Sequence, residues 1–97
     1  MIRVTSQKLR ETREQLLQMN SDLKGKADAF TTAANTLLGK WDGDTKQIEE
    51  KNFANDRIQI DNFIALINDY CTALENIAIR YDNAEAQNSQ LAAERKY

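Results

Sequence analysis

Apolar positions in the first half of the chain recur at intervals of seven, at Ile2, Leu9, Leu16, Leu23, Phe30 and Leu37. From Leu9 onward they mark one stripe of an α-helix, because seven residues come close to two helical turns. The rows beside this stripe are weaker, with Met19, Ala27, Ala33 and Ala34 set among Thr12, Arg13, Asn20 and Lys26. The seam is therefore thin toward the start, and small enough toward the end for close helix approach. Thr5 reads as an N-cap, with Val4 before it and Leu9 after it at the spacing of a hydrophobic staple. These signals predict a first helix from about Ser6 to about Lys40.

The second half repeats the pattern more heavily. Phe53, Ile60, Ile67, Leu74 and Tyr81 form one row at sevens, and Phe63, Tyr70, Ile77, Ala84 and Leu91 form a companion row three residues on. Ile64, Cys71 and Ala78 are expected to widen the band on one flank. Asp44 followed by Gln47 resembles a capping box, which predicts a second helix over about 45–90. The tail QNSQLAAERKY, to residue 97, has few apolar residues and is expected to fray. No alternating strand pattern competes.

The two helical segments meet at LLGKWDGDTKQ, residues 37–47, which holds the only Trp and two of the three Gly. A turn is expected at about 41–44. Gly43 can adopt φ > 0 without the strain a Cβ would impose, and Asp42 and Asp44 flank it as turn and cap formers. Trp41 follows Leu37 by four residues, a spacing that would let its indole close the end of the core. Two helices of roughly 35 residues, each about 50 Å long at 1.5 Å per residue, joined by so short a turn, must run antiparallel. The expected fold is all-α, one helical-hairpin domain over 1–97. The apolar band of the second helix is too wide for one narrow seam, so pairing of two hairpins into a four-helix bundle is expected. The shared hairpin and dimer core would comprise Leu9, Leu16, Leu23, Phe30 and Leu37 from the first helix. Phe53, Ile60, Phe63, Ile67, Tyr70, Leu74 and Ile77 would complete it from the second.

Composition excludes more than it selects. With 13 basic and 15 acidic side chains the net charge is −2, and Arg3, Lys8, Arg10, Arg13, Lys24 and Lys26 are scattered instead of forming a stripe. Nucleic acid is not an expected partner. The longest apolar run, FIALI at Phe63 to Ile67, is far too short to span a bilayer, and the opening MIRVTSQKLR has no apolar run that could act as a cleavable leader. The lone Cys71 is expected to be a small buried filler. There is no His, no metal-ligand cluster, no phosphate-cradling loop and no nucleophile beside a base, so neither catalysis nor a cofactor or metal is expected.

Three stretches together resemble a known family. These are the central Trp41-Asp42-Gly43, the opening VTSQKLRETREQL, and YDNAE, which supplies Tyr81 and Glu85 one helical turn apart. The chain is similar, over essentially its whole length, to the WXG family, relatives of the early secreted antigenic target exported by type VII secretion machinery. The resemblance implies a small secreted, virulence-associated protein, made in the bacterial cytoplasm and exported as a folded dimer. The dimer would be a homodimer, or a heterodimer with a related protein or a larger effector. Trp41, Asp42 and Gly43 with Tyr81 and Glu85 would form a composite export signal read by a secretion ATPase. The alternative is a cytosolic adaptor or targeting chaperone that pairs with the helical N-terminus of a larger secreted toxin. Tyr81 lies roughly 54 Å along the second helix from Trp41 at 1.5 Å per residue, so the signal would have to assemble between two antiparallel chains.

Overall fold

The computed structural model describes residues 4–94. Ile2 of the first heptad row and residues 95–97 of the tail lie outside the described residues. The described residues form two helices: α1, Ser6–Leu38, and α2, Gly43–Glu94. Helix α1 starts where its cap dictates. Thr5 is extended (φ −118°, ψ 159°) and its Oγ1 accepts a hydrogen bond from the Lys8 amide at 3.1 Å, satisfying one of the free donors of the first turn.

The helix ends two residues earlier than the sequence reading, at Leu38. There the amides of Gly39, Lys40 and Trp41 donate to the carbonyls of Asn35, Leu37 and Leu38 at 3.1, 3.0 and 3.1 Å, a tightening that satisfies terminal carbonyls. Gly39 stays in the right-handed region. The residue that needs to be glycine is Gly43, with φ +70°, a conformation in which a Cβ would crowd the following carbonyl. Helix α2 begins at Gly43 and continues to Glu94. It thus starts two residues before its expected position and runs four beyond it, so the described part of the tail, residues 87–94, is helical where fraying was expected. Asp44 lies inside the first turn instead of at the cap, where its charge still opposes the positive end of the helix dipole.

The helices run antiparallel: Arg10 meets Glu75, Asn20 meets Ile64 and Asn68, and Asp28 meets Arg57. The result is a rod of 84 × 21 × 16 Å with a radius of gyration of 22.7 Å, against about 13 Å for a compact domain of this length.

The line of closest approach is not the row of large residues. The buried positions are Asn20, Ala27, Ala34 and Leu38 on α1, with Cys71 and Ala78 on α2. Small side chains let the axes come together, since interaxial distance follows the residues at the contact. Ile64, Cys71 and Ala78, expected on the flank of the α2 band, lie at the centre of the seam. Leu9, Leu16, Leu23 and Phe30 are half-buried beside it, as are Phe53, Ile60, Ile67 and Leu74. The rings of Phe30 and Phe53 pack edge to face, with centroids 5.7 Å apart. Leu37, Phe63, Tyr70 and Ile77 are exposed, so they are not part of the hairpin's own core.

Candidate interaction surface

The two sides of this seam differ chemically. On one side, side chains of α1 and α2 clasp each other. Arg57 donates to Asp28 at 2.8 Å, to Asp61 at 2.9 Å and to the Thr31 hydroxyl at 2.9 Å. Arg10 meets Asp82 at 2.8 Å and Glu75 at 3.4 Å. Between these clusters the amide of Asn20, 5% exposed, donates to the Ile64 carbonyl and to Asn68 Oδ1, both at 3.0 Å. The carboxylates respond to their partners. The Arg57 hydrogen bond, with the Lys24 charge behind it, holds Asp28 below its ordinary range. The Ser6 hydroxyl and then Arg10 do the same for Asp82.

The other side carries the large apolar residues with nothing over them. Two adjoining clefts open there. One is lined by Leu23, Phe30, Ile60 and Phe63, the other by Met19, Leu23, Phe63 and Ile67. Phe63 is 54% exposed and Met19 63%. Tyr70 and Ile77 extend the surface one and two heptads along α2. On the clasped side Ile58 is exposed at the edge of a smaller cleft lined also by Phe30, Leu38, Phe53 and Arg57, and Ile79 is exposed as surface hydrophobics commonly are.

The total accessible area is 7928 Å², against about 5,700 Å² for a typical folded monomer of this mass. A standard protein interface removes about 800 Å² from each partner. The excess would supply that area more than twice over.

The turn motif and the Tyr81 motif lie at opposite ends. Trp41 is half-buried and Asp42 exposed, in the turn. Because α1 stops at Leu38, Trp41 is not a helical residue, and the four-residue relation to Leu37 does not set its direction. Tyr81 is partly exposed, and it lies five turns from Phe63, hence on the cleft side of α2. Glu85 is exposed one turn further on. From Gly43 to Tyr81 the rise of α2 is about 57 Å, so one chain does not bring the two motifs together.

Asp82, beside Tyr81, is tied to Arg10 near the start of α1. Beyond this clasp the described residues of α2 are exposed as far as residue 93. Arg10, Asn20, Arg57 and Asp82 were not legible as functional positions. Each helix alone shows only a polar residue at an interval of the repeat, and its partner becomes known once the register is known. Among the described residues no group of three or more His, Cys, Asp or Glu side chains is placed to hold a metal, and no helix is long and apolar enough to cross a membrane.

Two solved structures of the secreted protein EsxB from Bacillus anthracis, the wild type and a point mutant, share this fold. Each gives a TM-score of 0.77 at 20% sequence identity, over 84% of this chain and 88% of that one. No protein-family model and no curated protein matches the sequence. The expected ESAT-like hairpin is thus met at the level of fold.

Proposed function

We propose that this chain is a small secreted substrate of a type VII, ESX-like secretion system, a member of the WXG family exported as a folded dimer of hairpins. The observation that carries the reading is the position of Trp41-Asp42-Gly43. The motif forms the turn of a hairpin shared with a secreted protein, and Gly43 has the left-handed backbone that only glycine adopts without strain.

In this reading the uncovered apolar side is the dimer interface. The partner hairpin lies head to tail, so the turn of one copy approaches Tyr81 and Glu85 of the other. The export signal then exists only in the assembled pair. A secretion ATPase that reads it selects folded dimers over loose helices, without needing an unfolded apolar leader. The Arg10–Asp82 clasp supports this by anchoring α1 next to Tyr81, which fixes the surface on which the signal is displayed.

The test is export of Trp41→Ala and Tyr81→Ala from a host carrying the secretion system. Both variants are expected to keep their helicity and their dimeric mass and to be missing from the medium. Undiminished export of both refutes the composite signal. Recovery of the wild-type chain only as a stoichiometric complex with a larger protein would replace the substrate reading with that of an adaptor.

A further inference from the structure

We infer that Asn20 is a rotational pin of the hairpin: its grip on α2 fixes how far α1 is turned about its own axis, and so holds the large apolar row of α1 beside the seam instead of inside it. The pin acts within one chain and stands apart from the pairing proposed above.

Three observations meet at this residue. Asn20 is the one buried polar side chain among the described residues, 5% exposed. Its amide donates to the Ile64 carbonyl and to Asn68 Oδ1, both at 3.0 Å, and these acceptors lie four residues apart, on one turn of α2. A side chain held at two points of one turn is fixed in direction as well as in place. The oxygen of the same amide is buried without a partner, which makes asparagine a poor choice here for stability alone. An asparagine at a core position of a coiled coil likewise sets register at a cost in stability.

The motion that the pin opposes follows from helix geometry. At about 100° per residue, Leu16 and Leu23 lie about 40° and 60° around α1 from Asn20, on the same side of it. Turning α1 by about 50° would therefore set Leu16, Leu23 and Phe30 over α2 in place of Asn20, Ala27 and Ala34. Side chains that are now half-buried would be buried outright, a change the hydrophobic effect favours in proportion to the apolar area removed from water. The clasps of Arg10 and Arg57 resist that turn from the partly exposed edge, where ion pairs hold weakly. Asn20 resists it from inside, because the turn would break both of its hydrogen bonds. Leu23, which borders both clefts, is thus kept on the open side by a polar contact that lies within the seam.

Met19 reports the rotation. It is 63% exposed on the open side, four residues before Leu23, and the turn would carry it toward the seam. The test is the labelling rate of Met19→Cys by a thiol reagent, in a Cys71→Ala, Phe63→Asp background held at single-chain mass by light scattering and checked for helicity by circular dichroism. Adding Asn20→Leu is expected to slow labelling at least about tenfold, since protection follows the population of open states. Asn20→Ala, as small as its neighbours on the seam, is expected to act in the same direction by less, and it decides the matter if leucine crowds the seam. Labelling that stays as fast in both variants, with helicity retained, gives Asn20 a packing role only and overturns the pin. The mass of the unaltered chain judges the pairing separately.

Discussion

The two sides of the hairpin seam show a division of labour. The clasped side joins α1 to α2 through Arg10, Asn20, Arg57 and their partners, polar groups that work at a partly wet edge. The open side holds Phe63, Met19 and Tyr70, whose apolar bodies find little cover within their own chain. Between them runs a seam of Ala27, Ala34, Cys71 and Ala78, which brings the axes close but buries little apolar area for each residue. A hairpin built this way takes its internal register from polar contacts and small residues. In the proposed dimer its largest hydrophobic contribution, at about 25 cal/mol per Å² buried, would come from contact with the partner copy.

Substitutions that attack one side and spare the other should separate these roles. Phe63→Asp places a charge at the centre of the open side and is expected to have the largest effect. It should weaken the dimer at least about a hundredfold, equivalent to about 2.8 kcal/mol, as read by the concentration dependence of mass in sedimentation. Asn20→Ala acts at the seam. Losing a buried donor of two hydrogen bonds costs about 1–3 kcal/mol, and the lower end is expected because Asn20 Oδ1 is itself buried without a partner. Denaturant unfolding would measure this loss.

Gly43→Ala forces an alanine to φ +70° and should cost about 1–2 kcal/mol. The space around a Cβ there is open, so the cost is conformational. Gly39→Ala is the control. Its backbone is right-handed and a Cβ would meet the Thr36 carbonyl oxygen at 3.4 Å, an ordinary contact, so unfolding should scarcely change.

Arg57→Met removes clasps from the exposed edge and should lower the melting temperature only slightly, with dimeric mass unchanged, because solvent-exposed ion pairs contribute little. Its clearer signature is in acid. Asp28 and Asp82 have folded pKa values below their ordinary 3.8. Their contribution to stability is therefore complete above the unfolded value and is lost as pH falls through the lower folded values. With no His in the chain, the wild-type melting temperature should be nearly flat from pH 8 to about 5 and decline below about 4. In Arg57→Met the Asp28 part of that decline should shrink to the share that Lys24 still supplies.

The all-α hairpin was legible in the sequence because the sevens at Leu9 to Leu37 and Phe53 to Tyr81 admit no other regular structure, and Thr5 announced the start of α1. The position of the seam within the band was not. Heptad reading ranks rows by apolar size, and the rows of large residues here lie beside the seam or, at Phe63, Tyr70 and Ile77, outside it, while Asn20, Ala27 and Ala34 looked like weak points of a poor stripe. A band wide enough for two interfaces does not disclose which half faces the same chain and which faces a partner. The clasps stayed hidden for a related reason, since pairing Arg57 with Asp28 or Arg10 with Asp82 requires the antiparallel register, which no single helix encodes. Trp41, Gly43, Tyr81 and Glu85 could be picked out by their spacing. Their separation along one chain followed from helix rise alone, whereas the way two chains would bring them together depends on the open side.

The mass of the purified chain in solution at micromolar concentration, measured by light scattering, bears most directly on that open side. A particle of two 11.1 kDa chains is the expected result, because the clefts around Leu23 and Phe63 need a covering partner. A stable particle of one chain would show that this apolar surface is tolerated bare, and would contradict the account.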